Sequence, residues 1–234
     1  MMYRLSSLLA LLMVVTSYAA EIPANYPLVY EQDFAGDDGL DDFQFTDSNA
    51  WRRGANKAGD TFMEQFRASK YEYKVRSPYN IALLTKHRVK DFAIDLELQQ
   101  TGQEYGHRDM CVFFGFQDRS HFYYAHIATK TDDHAHNIFI VDDKPRAKIS
   151  SKTTAGHTWT DQWHKVRLTR NSEDGMTKVF VDNLEEPIML ARDTTFDWGY
   201  VGIGTFDDTG RIRRLVLRAP DSKPGEVGRA IFQE

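Results

Sequence analysis

The stretch MCVFFGFQDRSHFYYAHIA, residues 110–128, decides the fold. It holds two runs rich in aromatic and β-branched residues on either side of the polar segment QDRS. Short runs of this composition around a polar turn predict two antiparallel strands joined as a hairpin. With the turn at residues 117–120, Phe116 is expected to pair with His121. Each residue before Phe116 is then expected to pair with the residue that lies equally far after His121.

Alternation along this hairpin separates an apolar face from a mixed face. The mixed face sets Asp109, Tyr124 and His126 in a diagonal row. Gly115 has no side chain and is expected to leave room there for a ligand to approach. A curved sandwich normally binds its ligand on the concave face, so we expect Tyr124 and His126 to line that face. The face expected to pack in the core carries Met110, Val112, Phe114, Phe116, His121, Tyr123, Ala125 and Ile127.

The rest of the chain repeats the pattern of short strands. DFAIDLELQQ, residues 91–100, alternates strictly, with one apolar face made of Phe92, Ile94, Leu96 and Leu98. No long segment has the helical period. Many strands with short polar turns predict an all-β protein, an antiparallel β-sandwich of the jelly-roll type. Further strand-like runs cover residues 137–143, 163–170, 176–183, 200–206 and 211–219.

The two ends of the chain differ from its middle. Residues 1–20 combine Arg4, an apolar run too short to span a bilayer and small residues before Ala20, which is typical of a secretory signal peptide. We therefore expect a secreted or periplasmic protein with no membrane association after the signal is cleaved. Residues 21–220 are expected to form a single β-sandwich domain, and the Pro- and Gly-punctuated residues 221–234 a C-terminal tail outside its core.

Composition narrows the function. The chain of 234 residues has a formal net charge of -5 with scattered Lys and Arg, so we expect no nucleic-acid partner. Aromatic residues make up 13% of the chain, which suits stacking on sugars as well as ordinary β-core packing. Cys111 is the only cysteine and lies in an apolar run, so we expect no intrachain disulfide and a buried, unreactive thiol.

The order of motifs resembles a known superfamily. The runs WHKVRLTR (163–170), KVFVDN (178–183) and WGYVGIGTFDDTGRIRRLVL (198–217) resemble the C-terminal half of laminin-G-like domains and of concanavalin-like sandwiches. The opening LVYEQDFAGDDGLDDF (28–43) and the segment GFQDRSHFYYAHI (115–127) are similar to secreted bacterial 3-keto-disaccharide hydrolases, a family of 3-keto-glucoside lyases and hydratases. The resemblance implies a concanavalin-like jelly roll with carbohydrate as its partner.

The sequence departs from the retaining glucanases of this superfamily. Those enzymes carry a strand motif of the form Glu-x-Asp-x-x-Glu, whose carboxylates flank the scissile bond. In IDLELQQ, residues 94–100, Asp95 and Glu97 share a face, but Gln99 or Gln100 stands where the outer glutamate is expected. A two-carboxylate mechanism needs both acids, so the sequence disfavours it.

Histidines are concentrated around the hairpin. Four of the eight histidines fall within residues 121–141, and His107 lies just upstream. Histidine titrates near neutral pH, and a neighbouring tyrosine can also transfer a proton. The leading hypothesis is therefore a lyase or hydrolase of a polysaccharide or a modified glycoside, 3-keto or uronate-containing, with Tyr124 as acid and His126 or His136 as base. The expected substrate-binding residues are Arg76, Glu97, His107, Arg108, Asp109, His134 and Asn137.

Two further hypotheses concern binding without catalysis. The protein can instead be a non-catalytic, lectin-like carbohydrate-binding module, with Trp51, Tyr105, Phe113 and Tyr124 stacking on sugar rings. Neither this module nor the enzyme requires a cofactor. The spacing His134-x-His136 also permits a transition-metal site completed by Asp132, Asp133 or His126.

A structural calcium ion is a separate prediction. The resemblance to laminin-G-like sandwiches implies it, since these often hold a calcium ion on rim acids and carbonyls, and Asp33 with Asp207 or Asp208 can supply hard oxygen ligands. The alternative is that FAGDDGLDD and FDDTG are ordinary Asp- and Gly-rich turns.

Overall fold

The computed structural model describes residues 21–226 and 228–233, and the expected signal peptide lies outside them. The described chain contains a short 3-10 helix, Ser48–Ala50, and no α-helix. None of its helices is long and apolar enough to cross a membrane. Its strands are β1 (Leu28–Gln32), β2 (Phe43–Phe45), β3 (Trp51–Ala55), β4 (Thr61–Gln65), β5 (Asn80–Val89), β6 (Phe92–Gln100), β7 (Asp109–Asp118), β8 (His121–Ala128), β9 (Asn137–Asp142), β10 (Ala147–Lys148), β11 (Ser150–Thr153), β12 (His164–Arg170), β13 (Met176–Val181), β14 (Met189–Arg192), β15 (Gly199–Thr205), β16 (Gly210–Arg218) and β17 (Lys223–Pro224).

The strands form two antiparallel sheets. The first has the order β11-β14-β13-β12-β6-β16-β4-β3, and β1 also pairs with β16. The second has the order β10-β9-β8-β7-β15-β5-β17, and β2 also pairs with β5. Sequence neighbours such as β5 and β6 thus lie in different sheets, as in a jelly roll. The predicted all-β sandwich is confirmed.

The core lies between the two sheets and follows the alternation of the strands. The strictly alternating β6 points its four predicted apolar side chains inward, from Phe92 to Leu98. The hairpin contributes six of the eight residues expected from its apolar face, from Met110 to Ile127. The other two differ from the prediction, because the bulge places Phe116 in an apolar cluster on the outer face and leaves His121 partly exposed. Period-two patterning therefore identified the core-facing side of both sheets.

The predicted register of the central hairpin agrees with the structure over most of its length and is wrong at the turn. Asp109 to Phe114 pair with Ala128 to Tyr123 as predicted, but His121 then pairs with Asp118 instead of Phe116. Gly115 lies in this bulge with φ of 55°. A Cβ there would come within 3.0 Å of the Tyr123 ring. The glycine thus allows the backbone to bend, and it does not open space for a ligand as expected.

The outer face of the second sheet is covered instead of open. A second apolar cluster there includes Phe113, Tyr124, Phe139 and Ile231, and Val75 and Phe232 pack against it. Gln44 fixes the C-terminal segment, since its side chain donates to the Arg229 carbonyl at 2.7 Å and accepts from the Ile231 N–H at 3.1 Å. The C-terminal tail lies outside the inter-sheet core, but it packs on the domain and covers the outer face of the second sheet.

Candidate functional site

A cavity of about 100 Å³ lies at the end of this outer face that the cover leaves free. The loops that precede β5, β7 and β9 and those that follow β9 and β15 converge around it, and β8 supplies the histidine at its floor. The sequence singled out six of its eight lining residues: His126 as a catalytic residue, four as substrate-binding or metal-binding residues, and Tyr105 as a sugar-stacking ring. Its lining is Arg76, Tyr105, His107, His126, His134, Arg146, Phe206 and Asp207.

His126 lies at the bottom of this cavity with only 3% of its surface exposed. Its ring packs against Phe206 and Phe139, with centroids 5.9 and 6.2 Å away. Its Nε2 is 3.3 Å from Oδ2 of Asp109 but is not aligned with it, and neither ring nitrogen makes a hydrogen bond within the described structure. A buried imidazole with both nitrogens unpartnered is unusual and is suited to receive a ligand.

Asp109 and Asp208 form a buried acidic pair beneath the rim. The Asp109 N–H donates to Oδ2 of Asp208 at 2.9 Å, and the Tyr105 hydroxyl donates to the same oxygen at 3.0 Å. Burial and the neighbouring Asp109 carboxylate raise the pKa of Asp208 to about 7. Oδ2 of Asp109 accepts from the Phe206 N–H at 2.9 Å, while its Oδ1 has no partner among the described residues.

Arg146 and Arg76 place two positive charges at the cavity. The Arg146 guanidinium carbon is 4.3 Å from the centroid of the Phe206 ring, and that of Arg76 is 5.8 Å from it. One Arg146 nitrogen donates to the His134 carbonyl at 3.3 Å, but its Nε and Nη1 are buried without a partner in the described structure. Neither arginine forms an ion pair with a carboxylate of the described residues. The sequence reasoning missed Arg146 and Phe206, because nothing in DDKPRAK or GTFDD distinguishes them from ordinary turn residues.

The rim histidines are held by one loop. Nε2 of His107 lies 2.5 Å from Oδ2 of Asp132, and Oδ1 of Asp132 accepts the His134 N–H at 2.7 Å. Asp132 therefore joins the loop before β7 to the loop before β9 and fixes both histidines near the cavity mouth.

Tyr124 and His136, two of the three residues expected to be catalytic, do not line the cavity. Tyr124 is fully buried between Phe113 and Phe139, and burial raises the pKa of its hydroxyl far above the usual value. His136 has a positive φ of 52°, which turns its ring toward Thr154, where Nε2 lies 2.9 Å from Oγ1. Burial lowers the pKa of His136 to about 4, so the ring stays neutral. The hydroxyl of Tyr124 has no partner among the described residues.

Three expected binding residues are engaged in structural contacts. Arg108 is buried and donates from Nε to the Gln100 side chain at 2.5 Å and from Nη2 to the Gln100 carbonyl at 3.2 Å. Asn137 donates to the Asp132 and Ala135 carbonyls at 2.8 and 2.9 Å. Glu97 lies on the first sheet, paired with Arg213 at 2.5 Å. None of the three reaches the cavity.

The predicted metal ligands are only partly brought together. Carboxylate oxygens of Asp109, Asp207 and Asp208 lie within 4.8 Å of one another, but Asp33 does not belong to this group. Asp33 instead accepts the Ala35 N–H at 2.9 Å in a local turn. His134 and His136 form no ligand group within the described structure, since the ring of His136 is hydrogen-bonded elsewhere.

An open groove extends from the cavity. It has a volume of about 650 Å³ and shares Tyr105 and Asp207 with the cavity. The Tyr105 ring is 44% exposed, an unusually accessible aromatic surface. The groove and the cavity together form a continuous concave surface around Tyr105.

Comparison with known proteins shows the fold. No family model and no curated protein matches the chain. A carbohydrate binding module, CBM66 from Bacillus subtilis, superposes with a TM-score of 0.54 at 12% identity, covering 76% of this chain and 96% of the module. Peanut lectin gives 0.52 at 10% identity, covering 83% and 96%. A putative glycosyl hydrolase from Parabacteroides distasonis gives 0.50 at 10% identity, covering 81% and 99%. The chain therefore has a lectin-like jelly-roll fold, and none of these likenesses singles out the 3-keto-disaccharide hydrolase type.

Proposed function

We propose that this protein binds a carbohydrate that carries an acidic group, and that the acidic group enters the cavity above His126. The observation that carries the proposal is the state of Arg146, whose Nε and Nη1 are buried without a partner in the described structure. A buried donor left without a partner costs about 1–3 kcal/mol, and more when it is charged. A carboxylate or sulfate bound by Arg146 and Arg76 would satisfy these donors.

The shape of the site supports a sugar rather than a free anion. A water molecule occupies about 30 Å³ of liquid, so a cavity of about 100 Å³ accommodates a carboxylate or sulfate but no complete sugar ring. The ring would then lie over Tyr105 in the open groove, where an exposed aromatic face suits stacking. The lectin and the carbohydrate binding module that share this fold favour a sugar ligand by analogy.

A lyase acting on the same acidic sugar is a second candidate. In β-elimination beside a carboxylate, cations neutralise the acid, a base removes the adjacent carbon-bound proton, and an acid protonates the leaving oxygen. The unpartnered nitrogens of His126, next to Arg146, favour this chemistry. A 3-keto-glycoside carries no charge in its ground state and would use the arginines less. In either case the signal-like residues 1–20 suggest a role outside the cytoplasm.

Binding of matched glycans tests the proposal. Oligosaccharides of uronic acids would be compared, by calorimetry, with the same chains after reduction of their carboxyl groups. The acidic chains are expected to bind at least about tenfold more tightly, a difference of roughly 1.4 kcal/mol. Arg146→Gln should remove that preference. Arg192→Gln is the matched control, because Arg192 is 58% exposed on the first sheet and pairs with Asp174.

The outcomes separate the candidates. Equal binding of acidic and reduced chains, or an unchanged preference in Arg146→Gln, contradicts the proposal. Ultraviolet absorbance of an unsaturated product, lost in His126→Gln, supports the lyase. Preferential binding without such a product supports the lectin-like function.

A further inference from the structure

Three side chains with metal-binding atoms meet directly beneath the cavity. Asp109 and Cys111 are alternate residues of β7 and so share its outer face, and His126 on β8 pairs with Cys111. Their ligand atoms all lie within 4.8 Å of one another. Sγ of Cys111 is 3.1 Å and Nε2 of His126 is 3.3 Å from Oδ2 of Asp109. All three side chains are buried.

These separations are close to those around a tetrahedral zinc ion. With metal bonds of about 2.3 Å to sulfur and about 2.0 Å to nitrogen and oxygen, ligand atoms lie about 3.5 Å (S to O) and about 3.3 Å (N to O) apart. The observed distances are 3.1 and 3.3 Å. The two distances to Asp109 are therefore within a few tenths of an ångström of those around zinc, and the third, between Cys111 and His126, is at most 4.8 Å.

The unpartnered atoms of this group point to a missing partner. Both ring nitrogens of His126 and Oδ1 of Asp109 are buried without a hydrogen bond in the described structure. Buried polar atoms are normally satisfied, so three such atoms in one cluster require an explanation.

A second histidine cluster in the chain provides the contrast. Nδ1 of His164 lies 2.7 Å from Oδ2 of Asp182 and 3.2 Å from Nε2 of His157. Its Nε2 accepts the Thr160 N–H at 3.1 Å. Both ring nitrogens of His164 thus have a partner, as expected for a structural histidine, whereas neither ring nitrogen of His126 is hydrogen-bonded within the described structure.

We propose that Asp109, Cys111 and His126 bind a divalent transition-metal ion of the zinc type, with a fourth position open to the cavity. A thiolate and an imidazole favour such an ion over calcium or magnesium. On binding, the Cys111 thiol would release its proton to solvent, and the thiolate and the Asp109 carboxylate would together neutralise the two charges of the ion. Because the ion and its ligands would carry no net charge together, the two arginines of the cavity would not repel the bound ion.

The surroundings suit such an ion. The Phe206 N–H donates to Oδ2 of Asp109 at 2.9 Å and would orient this ligand. His126 lines the cavity, which provides both an entry path and room for a water molecule or an anionic ligand at the fourth position. The inference does not rest on the proposed function, because metal binding requires only Asp109, Cys111 and His126 and its tests use no glycan.

Cobalt(II) is a direct probe of this site. Purified protein stripped of metal with a chelator would be titrated with cobalt(II), whose thiolate complexes absorb in the near ultraviolet. Because Cys111 is the only cysteine of the chain, a thiolate band can come only from this residue. We expect the band at one equivalent, its loss in Cys111→Ser, and at least tenfold weaker binding in His126→Gln. His87→Gln, on β5, is the matched control and should bind cobalt as the unaltered protein does.

A second measurement needs no variant. Zinc at micromolar concentration should raise the melting temperature of the metal-stripped protein and protect Cys111 from a thiol reagent, while calcium should do neither. The absence of a cobalt–thiolate band, or a band that persists in Cys111→Ser, would overturn the proposal. So would melting temperatures and thiol reactivity that zinc leaves unchanged.

Discussion

Tyr123 and Tyr124 are neighbours in β8, yet their buried hydroxyls have opposite surroundings. The Tyr123 hydroxyl donates to the Asp193 carboxylate and accepts the Phe196 N–H at 2.9 Å. The Tyr124 hydroxyl has no partner within the described structure. Both rings are fully buried, so the difference lies in hydrogen bonding and not in exposure. Tyr123 joins the hairpin to the loop before β15, whereas Tyr124 contributes an unsatisfied polar atom next to the candidate site.

This pair predicts unequal effects of the same substitution on stability. Tyr123→Phe should lower the free energy of unfolding by about 1–3 kcal/mol, because it leaves buried partners unsatisfied. Tyr124→Phe should change it by less than about 0.5 kcal/mol or raise it, since no hydrogen bond is lost. Urea unfolding of both variants measures the difference. If Tyr124→Phe also reduces glycan binding or turnover, its hydroxyl serves function at the expense of stability.

Arg146→Lys should not preserve binding of an acidic glycan. Lysine keeps the charge but lacks the planar pair of donors that matches a carboxylate, and it stacks less well on Phe206. We expect about a tenfold loss of affinity, with weaker binding by both proteins at higher salt. Calorimetry at two salt concentrations checks both effects. Wild-type affinity in Arg146→Lys would mean that only the charge of Arg146 matters.

Tyr105 should contribute to binding through its ring more than through its hydroxyl. Tyr105→Ala removes the stacking surface and is expected to weaken oligosaccharide binding about tenfold. Tyr105→Phe keeps the ring and loses only the contacts with Asp207 and Asp208, at 3.3 and 3.0 Å. Its affinity should remain within about threefold of the unaltered protein. Equal losses in the two variants would assign the contribution to the hydroxyl.

Stability should fall as the pH drops below about 6.5. Burial lowers the pKa of His136 and of His157 to about 4, from the ordinary value of 6.5. Above pH 6.5 both histidines are neutral in the folded and the unfolded chain. Between pH 6.5 and 4 they are protonated in the unfolded chain but remain neutral in the folded chain, so protonation favours unfolding. Each histidine can remove up to about 3 kcal/mol from the free energy of unfolding.

Urea unfolding at pH 7 and at pH 4.5 measures this loss. His121 acts in the opposite direction: burial alone would lower its pKa, but Asp118 and Asp143 raise it, so its ion pair strengthens the fold as the pH falls. His157→Gln should reduce the difference in unfolding free energy between the two pH values, because one of the two histidines no longer takes up a proton on unfolding. A stability that is constant over this interval contradicts the prediction.

Local patterning predicted the core but not its cover. The inward residues of β6 and of the hairpin follow from period-two alternation, which each strand carries in its own sequence. The bulge at Gly115 depends instead on β15, where Tyr200 pairs with Phe116 across a long stretch of chain. The cover formed by Val75, Ile231 and Phe232 comes from loops without periodicity. Such long-range pairings leave no local signal.

The candidate site shows the same division. Arg76, His107, His126, His134 and Asp207 drew attention by residue type and spacing, and the structure brings them together around one cavity. Their roles there remain predictions. His136 fitted the same pattern, but its left-handed backbone turns the ring away, which alternation cannot reveal. Arg146 was missed because an arginine in a turn is ordinary until its unpartnered nitrogens are seen.

The strand order determines when the two sheets can form while the chain is being synthesised. In the first sheet β16 lies between β6 and β4 and also pairs with β1, and in the second β15 lies between β7 and β5. Neither sheet can therefore be completed until residues 199–218 have left the ribosome. Until then only part of each sheet can pair, such as β7 to β10 of the second sheet, and the edges of these partial sheets stay exposed. Sequence-distant pairing of this kind makes folding slow, so the growing chain exposes unpaired strand edges until its last long strands have been synthesised.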